Sequence, residues 1–295
     1  MKKKALFIYN MYSGKAKIKS ALADIINEFT KNEYEIVAHP TQYRGEAINK
    51  VAEMEDNYDV VICGGGDGTL DEVVTGMMKR DKKIPIGYIP AGSTNDFAKS
   101  IGVPSRINEA VSSIIKGSCK ACDIGEFNET SFVYIAAFGL FTDVSYETDQ
   151  QIKNMLGHMA YILEGAKRLG NIPSCHMKIS VNGNEIEDDF IFGMITNSKS
   201  VGGFKTIVGK EVVMDDGVFE VVFIKKPNNI LEANEIITSL LTEKMNSKYI
   251  YFYKSNEIKI TSDKNIPWTL DGEYGGSHND VKIKNINKGL NFIIE

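Results

Sequence analysis

The feature that most constrains this chain is Gly64-Gly65-Gly66-Asp67-Gly68-Thr69-Leu70, set between an apolar run and a helical pattern. Asp59–Cys63 (DVVIC) reads as a strand that stops at the glycines. Leu70, Val73, Val74, Met77 and Met78 then fall on one helical face. Glycines let backbone N–H groups approach phosphate oxygens, and a helix beginning there adds the positive end of its dipole. Asp67 in such a loop can hold Mg²⁺ against nucleotide phosphates, directly or through water. A bare strand-to-helix turn rarely needs four glycines around an acidic residue. The loop is not a dinucleotide fingerprint, since Thr69 stands where a GxGxxG begun at Gly64 requires its last glycine. It has no Walker A lysine either.

The same alternation runs through the first third of the chain. Ala5–Tyr9 reads as a strand, and Ile18, Leu22, Ile25, Ile26 and Phe29 follow at helical spacing. Tyr34–Ala38 predicts a strand, Arg44–Glu55 a helix, and Ile86–Ile89 a fourth strand ended by Pro90. Strands alternating with helices imply an α/β domain built on a parallel, doubly wound sheet. Ligands of such sheets sit beyond the carboxyl ends of the strands. Two more polar loops belong there. Asn10-Met11-Tyr12-Ser13-Gly14-Lys15 offers a hydroxyl and a cation that could sit over phosphates. Pro90-Ala91-Gly92-Ser93-Thr94-Asn95-Asp96-Phe97 has residues that favour a helix start. Each loop alone is ordinary; three at the ends of three parallel strands predict one crevice.

From about Cys122 the pattern becomes strand-rich. The segments 123–127, 132–137, 177–181, 191–195, 218–224, 249–253, 257–260, 268–270, 281–283 and 291–294 all resemble strands, with turn signals at Asn182-Gly183 and Asp216-Gly217. This half is expected to be mainly antiparallel, a sandwich or barrel-like sheet. Helical patterns interrupt it at 152–169 and 233–241. The expected domains are 1–122 and 123–287, with 288–295 returning to the first.

Composition excludes several classes. With 34 Lys+Arg against 39 Asp+Glu, the chain carries a formal charge of -5, which argues against nucleic acid as a partner. Its longest apolar stretch, Ser131–Phe141, falls short of the ~20 residues that cross a bilayer. The basic start is followed by an apolar run that stops at Asn10, too short for a signal sequence, so a cytoplasmic location is expected. Cys119-Lys-Ala-Cys122 has CxxC spacing, but it leads into a strand rather than opening a helix, and no second pair completes a zinc site.

Taken together, the Gly-Gly-Asp-Gly-Thr loop, the preceding Asn-x-x-Ser-Gly and the following Pro-x-Gly-Ser-x-Asn-Asp-Phe-Ala resemble the diacylglycerol kinase catalytic family. Asp215-Asp216-Gly217-Val218-Phe219 and Leu270-Asp271-Gly272-Glu273 extend the resemblance to its soluble bacterial members over essentially the whole chain. It implies a Rossmann-like, phosphofructokinase-like α/β domain followed by an antiparallel β-sandwich. It implies an ATP- and Mg²⁺-dependent lipid kinase acting on diacylglycerol. By the same resemblance Asn10, Ser13, Gly14, Thr41, Gly66, Gly68, Thr69, Glu72, Thr94 and Asn95 would contact the nucleotide. Asp67 would organise the catalytic Mg²⁺, with Lys15 and Asp96 in its charge network. Glu273, otherwise a solvated turn residue, would be the general base toward the lipid hydroxyl. Asp216, with the carbonyls of Val213 and Val218, would bind a second, structural Mg²⁺; the alternative for Asp216-Gly217 is a plain hairpin turn. Homodimerisation and peripheral contact with a membrane surface are further expectations. Lys2–Lys4 and the Lys153, Lys167 and Arg168 face are candidate basic patches, and the 150–170 helix a candidate lid.

Three positions depart from the family pattern: Met11 for Pro, Ser93 for Thr, and Asp71 for Asn. Asp71 adds charge one turn into a helix, which suits the dipole but could weaken phosphate binding. Rival readings are a sphingosine-type lipid kinase, an NAD kinase and a phosphofructokinase-type sugar kinase, the last two sharing the glycine loop. A nucleotide-binding regulator without turnover would be a non-enzyme. Retention of Asp67, Asp96 and Glu273 argues against the regulator, and the Leu-Asp-Gly-Glu segment against the NAD and sugar kinases.

Overall fold

Ala5, Leu6, Phe7 and Ile8 are all fully buried, as expected for a strand covered on both faces. They lie in β1 (Lys3–Tyr9), the first strand of a computed structural model describing residues 2–140, 163, 172–201, 204–205, 212–242 and 247–295. Strand β1 pairs in parallel with β2 (Tyr34–Pro40) on one side and β3 (Val60–Gly65) on the other. Strand β4 (Ile86–Pro90) pairs with β3. Helices α1 (Ser13–Lys31) and α2 (Glu46–Ala52) make the crossovers around β2, and α3 (Asp67–Met78) links β3 to β4. Successive connections run to opposite sides of β1, so the switch point lies between β1 and β3.

Helix α2 is shorter than its apolar spacing suggests: Gly45, at φ 84°, turns the chain immediately before it, and the helix ends at Ala52. The short α4 (Asp96–Ile101) and α5 (Ile107–Lys116) complete this half. Helix α5 was not among the expected helices; its buried face is Ala110, Val111, Ser113 and Ile114, and the serine breaks the apolar run in the sequence.

The remaining described strands are antiparallel: β5 (Ser118–Phe127), β6 (Thr130–Phe132), β7 (Ile135–Gly139), β8 (Cys175–Val181), β9 (Asn184–Thr196), β10 (Ser200–Val201), β11 (Phe204–Lys205) and β12 (Phe219–Lys225). Helix α6 (Ile230–Leu241) precedes β13 (Ile250–Ser255), β14 (Glu257–Leu270) and β15 (Glu273–Ile294). The last two are longer than the sequence suggests, since each absorbs a pattern break as a register shift: Thr261/Ile266 in β14 and Ile286/Leu290 in β15. An aromatic core around Trp268, Phe127, Phe138, Phe190 and Phe223 fills this half.

Strand β15 joins the halves. It runs antiparallel to β14 and β5, and near its end Phe292 pairs in parallel with Ile86 of β4. The Phe292 ring packs on Phe97 of α4 at 4.8 Å. The start of β15 therefore lies where β14 turns back, and its end lies in the parallel sheet. In β5, Cys119 is exposed and Cys122 buried, its thiol pushed up to about 12 by burial, so the CxxC pair has no shared face. Apart from Leu163, the 150–170 lid lies outside the described residues, as does its Lys153, Lys167 and Arg168 patch.

Candidate active site

The loops after β1, β3 and β4 are sewn together by backbone. Asn10 N–H donates to the Gly64 carbonyl at 2.9 Å, and Ala91 N–H to the Gly65 carbonyl at 2.7 Å. Gly14 adopts φ +52°, and a Cβ there would sit 1.6 Å from the Ala91 oxygen. Gly92 packs so tightly on Gly66 that a Cβ would lie 2.6 Å from the Gly66 Cα. These glycines are a requirement of loop-on-loop packing as much as of any ligand.

A cleft of about 410 Å³ opens beside the loops, within the size range of small-molecule sites. It is lined by Asn10, Ser13, Thr41, Gly66, Gly68, Thr69 and Glu72 of the expected nucleotide set, together with Tyr12, Tyr43, Arg44, Asp71 and Glu273. Helix α3 starts at the cleft with Gly66 as its N-cap and no side-chain cap, so its first-turn N–H groups are not consumed by one. Asn10 Oδ1 accepts from Tyr12 N–H at 2.9 Å, holding the first loop. Thr41 is tied to the Tyr9 carbonyl by its N–H at 2.9 Å. Glu72 accepts from Gly45 N–H at 2.7 Å and Ala47 N–H at 3.2 Å. Its carboxylate therefore braces the start of α2 at the cleft wall.

Asp67 sits behind the glycines. Its Oδ2 accepts from the Thr94 hydroxyl and the Asp96 N–H, both at 3.2 Å, while its buried Oδ1 has no hydrogen-bond partner among the described residues. Burial and the neighbouring Asp96 charge push its carboxyl above the usual range. Asp96 is fully buried, 3.8 Å from the Lys99 ammonium. Thr94 and Asp96 thus meet the nucleotide loops through Asp67. Asn95 is turned to its own loop, its Oδ1 accepting from Gly92 N–H at 2.8 Å and its amide donating to the Gly92 carbonyl at 3.0 Å. Lys15 lies in the first turn of α1; its side chain is not among those described.

Among the described residues no group of three or more His, Cys, Asp or Glu side chains is arranged to hold a metal. The Asp67 oxygen that lacks a hydrogen-bond partner among the described residues is nevertheless a donor that suits Mg²⁺, which is usually bound by one or two carboxylates plus substrate phosphates.

Glu273 arrives from the other half of the molecule. Asp271 and Gly272, at φ 50° and 83°, make the turn between β14 and β15. Asp271 is buried and accepts from the N–H groups of Val133, Tyr134 and Ile135, and the Tyr134 hydroxyl donates to its carbonyl at 3.2 Å. This pinned turn projects Glu273 across the cleft. Its Oε2 lies 3.2 Å from the Arg44 guanidinium, and its Oε1 lies 3.8 Å from where a Gly68 Cβ would be. Arg44 and Asp271 carried no assigned role in the sequence; only their placement reveals one.

The second expected metal group is a turn before β12. Asp216 Oδ1 accepts from Val218 N–H at 3.2 Å, and Val213 is exposed. The buried Asp123 anchors that turn, accepting from Gly217 N–H at 2.6 Å and from Lys288 N–H at 2.7 Å.

Residues 4–127 match the diacylglycerol kinase catalytic domain family, and residues 136–285 match the YegS C-terminal NAD kinase beta sandwich-like domain. A diacylglycerol kinase of Bacillus subtilis (strain 168) is 34% identical over 277 residues, spanning 93% of this chain and 91% of that relative. One from Staphylococcus carnosus (strain TM300) is 34% identical over 278 residues, spanning 94% and 90%. A diacylglycerol kinase structure from Bacillus anthracis str. Sterne, 22% identical, shares the fold at a TM-score of 0.77 over 99% of this chain and 97% of its own. Matched along almost its whole length in sequence and in architecture, the chain belongs to the diacylglycerol kinase family of lipid kinases.

Proposed function

We propose that the enzyme transfers the γ-phosphoryl group of ATP to the free hydroxyl of diacylglycerol, giving phosphatidic acid and ADP. The observation that carries this reading is Glu273, reaching from the β-rich half to within 3.8 Å of the Cβ position of Gly68. A carboxylate facing a phosphate cradle is what a hydroxyl acceptor requires.

Phosphoryl transfer asks the protein mainly for position and electrostatics. The glycine loop and the start of α3 hold the phosphates, with Asn10, Ser13 and Thr41 along the wall. Asp67, steadied by Thr94 and the Asp96 N–H, would hold Mg²⁺, which supplies charge neutralisation on the phosphates. Glu273 takes the proton from the lipid hydroxyl as its oxygen bonds to the γ-phosphorus and the bond from that phosphorus to the bridging oxygen breaks. Arg44 holds Glu273 at the rim. Their pair is exposed, contributes about 0–1 kcal/mol and is readily rearranged by substrate. Asp216, Val213 and Val218 would supply oxygens to a second cation away from the reacting atoms.

No described helix is long and apolar enough to cross a membrane; in the proposed reaction the lipid is met at a membrane surface. The test is ATP consumption by purified protein with diacylglycerol micelles, sphingosine, monoacylglycerol and NAD as separate acceptors. Turnover with diacylglycerol is expected. Turnover with NAD and none with the lipids would overturn the reading.

A further inference from the structure

Behind Glu273 lies a contact between two acids that the transfer mechanism leaves unused. Asp71, on α3, is in hydrogen-bonding contact with Asp271, on the β14–β15 turn. Asp271 is satisfied as an anion by the three N–H groups of Val133, Tyr134 and Ile135. Asp71 is not: its Oδ1 is enclosed and has no hydrogen-bond partner among the described residues. The groups around it make ionisation worse. Glu72 neighbours it on α3 and Glu273 lies beyond the turn, while the Arg44 guanidinium is engaged with Glu273 and the Tyr134 hydroxyl with the Asp271 carbonyl. A carboxylate with one enclosed oxygen that has no donor, set against a second carboxylate, is relieved by one proton held between them.

We propose that Asp71 and Asp271 share one proton, Asp71 donating and Asp271 accepting, and that this acid pair fixes the turn that places Glu273 over the phosphate loop. Asp71 is then a positioning residue. The activity part of the proposal rests on the phosphotransfer reading; the pairing itself does not.

Both carboxyls are pushed upward: Asp71 by burial and then by the Asp271 charge, Asp271 by burial to about 6. The sign follows directly. The folded state holds this proton more tightly than the unfolded chain, so the contribution is complete below the ordinary carboxylate range and is lost only as pH rises through the raised value of Asp71. Asparagine at position 71 can donate from its amide at every pH, whereas aspartate donates only when protonated.

The experiment compares wild type with Asp71→Asn and Asp71→Ala across pH 5 to 9. The thermal midpoint of wild type should fall relative to that of D71N as pH rises, by on the order of 3 °C or more. In the same range kcat of wild type should decline relative to D71N, and D71A should lose about tenfold or more in kcat with little change in KM for ATP. Infrared spectra of wild type near neutral pH should contain a protonated carboxylic acid band that D71N lacks, a measurement that survives poor folding of D71A. Parallel stability profiles for wild type and D71N, or no such band, would overturn the pairing. A protein that pairs these acids but never consumes ATP would instead overturn the kinase reading.

Discussion

Glu273 shows how little a residue's own neighbourhood says about its task. In the sequence it is a carboxylate between a glycine and a tyrosine, suited to any solvated turn. In the structure it is half-exposed, held by Arg44 and aimed at Gly68. Glu273→Gln keeps the shape and removes the proton acceptor. It should lower kcat by roughly 10²–10⁴-fold while leaving ATP affinity unchanged, as read by steady-state kinetics and calorimetric titration. Normal turnover by that variant would remove Glu273 as the base. Asp67 is the opposite case: the role proposed for it is suggested by the loop around it, because a carboxylate among glycines offers a cation both charge and room. The orphaned Oδ1 agrees with that reading.

At the scale of elements, the three loops act as one because their backbones touch. Gly14 has no room for a side chain and takes a left-handed conformation, which costs other residues about 1–2 kcal/mol before any clash. Gly14→Ala should therefore destabilise the protein by more than about 2 kcal/mol, read as a lower denaturation midpoint, and should weaken ATP binding by displacing the Asn10 loop from Ala91. An unchanged midpoint would mean that the β1 and β4 loops are not packed this way. Much at this scale could be read directly. The parallel strands are continuous apolar runs, and the helices between them carry one buried face. Helix α5 escaped because Ser113 interrupts its stripe; the serine is tolerated since its hydroxyl accepts from Glu295 N–H at 3.0 Å, at the far end of the chain. The long strands β14 and β15 were legible only as fragments, since their register shifts break the two-residue period while the ladders continue.

At the scale of the molecule, β15 decides the assembly. It closes the β-rich half against β14 and β5, then ends beside β4. Phe292 is buried near that end, against Phe97. Phe292→Ala should cost about 3–5 kcal/mol and lower the thermal midpoint. Because Phe292 tethers the strand whose other end carries Glu273, activity should decay at a lower temperature as well. A midpoint within about 1 °C of wild type would show that the end of the chain does not bear on the parallel sheet.

The alternation of strands and helices in the first third, the strand-rich second half, the glycine loop and the carboxylate set in it were determined by the sequence alone. These depend on local periodicity and on the conformational freedom of neighbouring residues, and both are written within a few positions of one another. The tertiary structure alone decided that Glu273 crosses to Gly68, that Arg44 meets it, that Asp71 touches Asp271 and that Asp123 anchors the turn at Gly217. Those partners lie from 94 to 229 positions apart in the chain. No local pattern encodes such pairs, because their proximity comes from burying two cores against one shared strand.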